Sequence, residues 1–300
     1  MTHKTPIGRD SSSFLCQPIP RKMSTHSWVQ KIQSLPVLPQ VAMRVTERIQ
    51  SSGSTLDEIS RLIESDAGLT ARILKLANSS YYSVPGGVKD VRKALQFLGF
   101  TTIAQVVLTS SVFGSFKNSG LRDFPLLPFW IHSLAVGQVA ELAARGLNQP
   151  QPSDAFIGGL LHDVGKLILL ELAPEQLSRI ARYALEHRVS FLQAERDLGL
   201  EDHIALGVGL SRHWKLPELV EEAIRSHHSI PETRSGQIVA WANLWVQLQG
   251  IGASGSHDPE TESRSLELGR LLGISPALAG NIEQQFRKEF EKAEAILGGH

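Results

Sequence analysis

Six residues of the chain are metal-donor types that recur in a suggestive order: His132, the adjacent pair His162-Asp163, His203, and the adjacent pair His227-His228. Several imidazoles with one carboxylate suit Fe, Mn, Zn or Ni better than Ca or Mg. Neighbouring residues on a helix point roughly 100° apart. Each adjacent pair can therefore address two points around one pocket, as a bridged two-metal site requires. One or two divalent transition-metal ions are the expected cofactors, with a metal-free pocket as the alternative. Lys166 follows the His162-Asp163 pair and offers an ammonium that could steady a phosphate. Its other reading is a contact with the C-terminal carbonyls of the helix before it. If the chain is an enzyme, Lys166 is the candidate catalytic residue.

The dipeptide alone is weak, because the chain holds a second one, His257-Asp258, in a Gly/Ser-rich stretch with nothing around it to build a site. His187 and His213 fit rim positions where a backbone partner satisfies the ring, and His3, His26, His257 and His300 read as solvated. The ordered set differs in that each member lies in, or at the end of, an apolar helical segment.

The elements that must position these residues are all helical, since no stretch alternates with period two for long enough to compete. Residues 1–27 are rich in Ser, Thr, Pro and charge and read as a mobile tail. Structure is expected from near Trp28. Val41, Val45 and Ile49 recur at helical spacing. Ser54-Thr55 stands before Leu56, Ile59, Leu62 and Ile63, with Asp57 and Glu58 in the first turn where the helix dipole favours them. Leu69, Ile73 and Leu76 mark another helix, Val91 to Leu98 a short one stopped by Gly99, and Thr102 to Phe116 a buried one. Asn78-Ser79-Ser80 is a helix-end motif rather than a nucleophile site.

In the second half, a loop with Pro125 and Pro128 leads into the helix of His132, whose face it shares with Val136, Val139 and Ala143. Asp154 opens the helix that carries His162-Asp163, and Gly165 is read as its end. Glu201-Asp202-His203 opens another. Trp214 with Leu216-Pro217 turns the chain into the helix leading to His227-His228, and Gln237 to Leu248 contains Asn243. Residues 250–263 read as a loose loop, and Leu266 to Leu297 as two amphipathic helices broken at Ser275-Pro276 that pack on the bundle.

Thirty basic and thirty acidic residues leave no net charge, which removes the usual electrostatic footprint of a nucleic-acid binder. The single cysteine, Cys16, excludes an internal disulfide and fits a reducing compartment. No apolar run is read as approaching the roughly 18 residues of a membrane span. A cytoplasmic protein without nucleic-acid or membrane partners is the expectation.

The order His132, His162-Asp163, His203, His227-His228 resembles the HD superfamily of metal-dependent phosphohydrolases. More closely, the chain is similar to the HDOD family, the HD-related output domain of bacterial signalling proteins. Leu35-Pro36-Val37-Leu38-Pro39, Asp66 with Leu69, Ala77-Asn78-Ser79-Ser80-Tyr81-Tyr82, and Ala94 with Leu98-Gly99 look like that family's first half. His162-Asp163-Val164-Gly165-Lys166, Asp202-His203, Trp214 with Leu216-Pro217, and His227-His228 look like its second. The match runs from about residue 28 to about residue 248, divided at 117/118 into an N-terminal helical half and an HD-like half, with 249–300 outside it. The resemblance implies an all-α, HD-type helical bundle with an N-terminal helical subdomain. It also implies a regulatory output acting on an unknown signalling protein partner, with a partly retained metal pocket. Asn243 stands where catalytic relatives carry the last Asp ligand, so that position is degenerate. Ser229-Ile230-Pro231-Glu232 replaces the loop of the related cyclic-di-GMP phosphodiesterases, which argues against that reaction. The alternatives are an active metal-dependent phosphohydrolase on a nucleotide or phosphoester, and a metal or nucleotide sensor without turnover.

Overall fold

The computed structural model describes residues 25–35, 40–51, 53–78, 87–116 and 120–297. The tail reading up to residue 24, Cys16, residues 36–39 of the Leu-Pro motif, residues 79–82 and Pro85-Gly86 lie outside them.

The first half holds α1 (Thr25–Gln33), α2 (Gln40–Gln50), α3 (Leu56–Glu64), α4 (Ala67–Ala77) and α5 (Val91–Ser115). Helix α1 begins inside the stretch read as tail. The reason is a short apolar stripe, Trp28 and Ile32, which is buried and packs toward α11 (His203–His213). Helix α3 starts on a capping box in which the Thr55 hydroxyl accepts from Glu58 N while the Glu58 carboxylate accepts from Thr55 N. Asp66 and Asp90 cap α4 and α5 in the same sense. Gly99 interrupts α5 with φ 77°, so the short and long helices expected there meet at a kink. Asn78 closes α4 as its C-cap and clasps the returning chain: its amide donates to Val88 O and its carbonyl accepts from Val88 N.

A two-residue hairpin, β1 (Gly120–Leu121) and β2 (Phe124–Pro125), leads into α6 (Leu126–Gly146). Helix α6 includes Pro128, which was expected in the loop; a missing N–H costs nothing in a first turn. Then follow α7 (Pro152–Leu161), α8 (Val164–Leu172), α9 (Pro174–His187), α10 (Phe191–Asp197), α11, α12 (Glu218–Ser226), α13 (Arg234–Leu248), α14 (Thr261–Leu272) and α15 (Pro276–Leu297). The fold is all-α apart from the hairpin.

Three apolar clusters hold these helices. One, with Val45, Ile59, Ile73 and Leu95, belongs to the first half. A second joins the start of α6 to α7–α12 and also takes in Leu108 and Phe113 of α5, so α5 links the halves. The third packs the rest of α6 against α13, α14 and α15 through Val139, Trp241, Leu268, Ile282 and Phe286, so the C-terminal helices rest on the bundle. Two helices, Val91–Ser115 and Leu126–Gly146, are in fact long and apolar enough to cross a membrane by length and composition. That corrects the reading of the sequence. Half of the tested window in the first and 78% in the second is buried within the protein, the mark of core helices.

Candidate metal centre

The positions that bring the donors together are set by close approach of backbones. A Cβ on Gly159 would lie 2.7 Å from Gly137 Cα, so α6 and α7 touch without intervening side chains. Their contact puts His132 of α6 beside His162. Gly165 was read as the end of a helix; it is instead the second residue of α8. Helix α7 stops at Leu161, and His162-Asp163 forms the turn between the two helices. A Cβ on Gly165 would stand 1.8 Å from His203 O, and this requirement for space is why glycine occupies the site. Helix α11 thereby lies against α8 with His203, just inside the Asp202 cap, facing Asp163. His227-His228 forms the turn after α12.

His132, His162, Asp163, His203 and His227 are all buried, at 0–2% exposure, and His228 is partly buried. The rings are oriented from behind. His162 Nδ1 donates to Gly159 O at 2.7 Å and His227 Nδ1 to Ile224 O at 2.9 Å. His203 Nδ1 donates to Glu195 Oε2 at 2.8 Å. The Nε2 atoms of these three rings therefore face inward, as ligating histidines do when an outer partner fixes the tautomer. His203 Nε2 is 3.3 Å from His227 Nε2, 3.2 Å from His228 Nε2 and 3.3 Å from Asp163 Oδ1, and His227 Nε2 is 3.3 Å from the same oxygen. A tetrahedral ion bound at about 2.0–2.1 Å would separate its donors by about 3.3–3.4 Å.

Electrostatics gives the same picture. Burial drives His227 down to about 4 and His228 well below its ordinary value, so both carry lone pairs. Burial acts against charge on His203 as well. The Glu195 carboxylate and the contact with Asp163 outweigh it and raise His203 to about 9. Burial disfavours the Asp163 carboxylate, yet Lys166 and the neighbouring histidines hold its pKa well below the usual range. One Nε2 proton on His203 thus faces three acceptors and can satisfy one. His162 Nε2 and Asp163 Oδ1 have no well-aligned hydrogen bond among the described residues. A buried acceptor without a donor is costly, and a divalent cation would satisfy Asp163 Oδ1. The donor set therefore fits a metal. Asp163, His203, His227 and His228 form one group, and His132, His162 and Asp163 a second, each with its donors within 4.8 Å of one another.

The second group is compromised. Asn243 Oδ1 lies 3.1 Å from His132 Nε2 and also accepts from Gln247 Nε2 at 2.8 Å. A carbonyl can only accept, so His132 Nε2 is the donor and its proton occupies the direction of that lone pair. Burial, with repulsion from His162, pushes His132 down to about 3, so the ring is neutral.

Lys166 does not bond the C-terminal carbonyls of the helix before it. Its ammonium, 1% exposed, donates to Asp163 Oδ2 at 2.7 Å and to Ser254 O at 2.9 Å, and lies 4.6 Å from the centre of the Phe191 ring. Ser254 belongs to the stretch read as a loose loop. That loop is pinned instead: Ala253 N donates to Pro128 O, His257 N to Val189 O, and the Ser256 hydroxyl accepts from Phe191 N. His187 bonds Tyr183 O and His213 bonds Leu35 O, away from the cluster. His257 is exposed; Asp258 accepts from Arg264 and from Glu260 N at the start of α14.

Glu195 was missed from the sequence. It shares the inward face of α10 with Phe191, Ala194 and Leu198, and a glutamate on an apolar stripe is the signal that could have marked it.

Among known proteins, a 26% identical, uncharacterised protein of Treponema pallidum matches over 227 residues, 74% of this chain; the chain spans only 44% of that protein. The crystal structure of an HDOD domain protein of unknown function from Geobacter sulfurreducens is 25% identical with a TM-score of 0.71, covering 89% of this chain and 98% of that one. A candidate phosphohydrolase from Shewanella amazonensis SB2B, 24% identical, shares the fold with a TM-score of 0.67 over 91% of this chain and 97% of its own. The model of the HDOD domain matches residues 35–230, and on that match, over most of the chain, the protein belongs to the HDOD family.

Proposed function

We propose that the chain is a bacterial signalling output domain that acts through contacts with a protein partner, and that its retained HD-type centre holds one divalent transition-metal ion. The ion is regulatory or structural in this reading. The observation that carries it is the closed donor set: Asp163, His203, His227 and His228 supply four donors within 4.8 Å of one another, and four of their separations, at 3.2–3.3 Å, match a tetrahedral ion. Structural zinc sites use four protein ligands, whereas catalytic sites keep a position open for water or substrate. The ion would join four parts of the bundle, the α7–α8 turn, the start of α11, the end of α12 and, through Glu195, α10. Metal occupancy would then set the rigidity of the surface shown to a partner. Lys166, the group a phosphohydrolase would turn toward substrate, is bound on two sides and sealed.

A phosphohydrolase is the second reading, favoured by retention of most of the donor set and by the name given to the Shewanella neighbour. The test is purified protein supplemented in turn with Fe, Mn, Zn and Ni, followed by elemental analysis and a phosphoester panel. About one bound equivalent, a higher melting temperature and no turnover is the expected result. Turnover that disappears in Asp163→Ala would overturn the regulatory reading.

A further inference from the structure

Glu195 is buried at 0% exposure, with both carboxylate oxygens engaged by one residue. Oε2 accepts from His203 Nδ1 at 2.8 Å and Oε1 accepts from the His203 backbone N at 2.9 Å. The geometry is produced by the chain reversal between α10 and α11. Leu200 N donates to Glu195 O and Gly199 N to Arg196 O, and Gly199 has φ 64°. This folds α11 back, so that Glu195 meets a residue eight positions later. His162 and His227 are oriented by neutral carbonyls of their own turns. Among these three rings, His203 alone has a carboxylate behind it.

We infer that Glu195 is a positioning residue that holds the proton on His203 Nδ1, and that this fixes the Asp163, His203, His227 and His228 group as the metal seat. The inference rests on the metal reading above. The physical case is an asymmetry in what an isosteric replacement could do. In Glu195→Gln the His203 backbone N–H can be met only by the amide oxygen. The amide NH2 must then face His203 Nδ1 and donate to it. The ring is forced into the tautomer with its proton on Nε2, still able to donate to Asp163 and unable to ligate. A change of one atom, with no loss of volume, thus turns a ligand into a blocked position. Loss of such an outer partner costs about 10–100-fold in metal affinity.

The experiment uses the full chain labelled with 15N-histidine, its His203 signals identified by their absence in His203→Asn. In the wild type, Nδ1 of His203 is expected to be protonated both without metal and with Zn2+. In Glu195→Gln it is expected to lose that proton, while competition titration shows Zn2+ affinity reduced 10–100-fold. Glu195→Asp keeps the acceptor and is expected to retain Nδ1 protonation and recover part of the affinity. A wild-type Nδ1 without a proton overturns the inference, and so does a Gln variant that keeps the wild-type proton and affinity. If Glu195→Gln does not fold, the wild-type and Asp spectra decide. A wild type that binds no Zn2+ overturns the metal reading instead, while the proton on Nδ1 still reports on Glu195.

Discussion

The two sides of the histidine cluster share Asp163 and differ in what stands behind and opposite their imidazoles. On one side His203 is backed by the Glu195 carboxylate and faces His227 and His228 at ligand spacing. On the other, His132 faces the neutral carbonyl of Asn243, which fixes its proton toward the pocket. The difference shows that counting donor residues does not count metal sites. A site needs lone pairs aimed at one point, and second-layer partners decide where they aim. In the reading proposed above, the first side holds the ion and the second is a hydrogen-bonded contact.

Asp163→Ala removes the group common to both sides and gives the largest effect. It leaves the Lys166 ammonium buried with no counter-charge, against only the Ser254 carbonyl and the Phe191 ring, a loss of about 3–5 kcal/mol by analogy with broken buried pairs. A large drop in melting temperature and no retained metal in elemental analysis are expected. Gly165→Ala follows. Its methyl collides with His203 O, and overpacking of this kind costs about 1–3 kcal/mol; chemical denaturation measures it, and displacement of α11 should weaken metal binding as well.

The pH response separates the sides without mutation. His203 has its pKa raised to about 9, so its stabilising proton is fully present below the ordinary value of 6.5 and is lost as pH rises toward 9. His132 and His227 have theirs lowered to about 3 and about 4, so the stability they give as neutral rings is present above 6.5 and lost as pH falls toward 4. Melting temperatures of metal-free protein should therefore peak near pH 6.5. Zn2+ affinity should climb with pH up to about 9, by about tenfold per unit where one proton is displaced.

Much of this fold was legible in the sequence, for particular reasons. The 3.6-residue periodicity and the Ser54-Thr55 cap gave α3, Glu201-Asp202-His203 marked the start of α11, and the ordered donors marked the residues that meet. Features set by distant parts of the chain were not legible. Gly165 looked like a helix end because a glycine after polar residues commonly is one; its real constraint, contact with His203 O, comes from a segment far along the chain. The loop at 250–263 looked loose because its composition is Gly, Ser and acid. Its order comes from long-range bonds to Pro128, Val189 and Lys166, which carry no local signal. Glu195 and Lys166 share that limit: a buried charge is defined by partners, and partners are tertiary.

Asn243→Asp sharpens the contrast with a smaller effect. It restores a carboxylate opposite His132, and the expected outcome is a rise from about one toward two metal equivalents in elemental analysis. His257→Ala should change least. The exposed ring takes no part in the cluster, so metal content should be unchanged and stability within about 0.5 kcal/mol of the wild type.

The most direct measurement is a crystal structure of the Zn2+-loaded protein with anomalous scattering recorded at the zinc edge. The account predicts one strong peak enclosed by Asp163, His203, His227 and His228. A peak between His132 and His162 with none at His203, or no peak in the cluster at all, would contradict it.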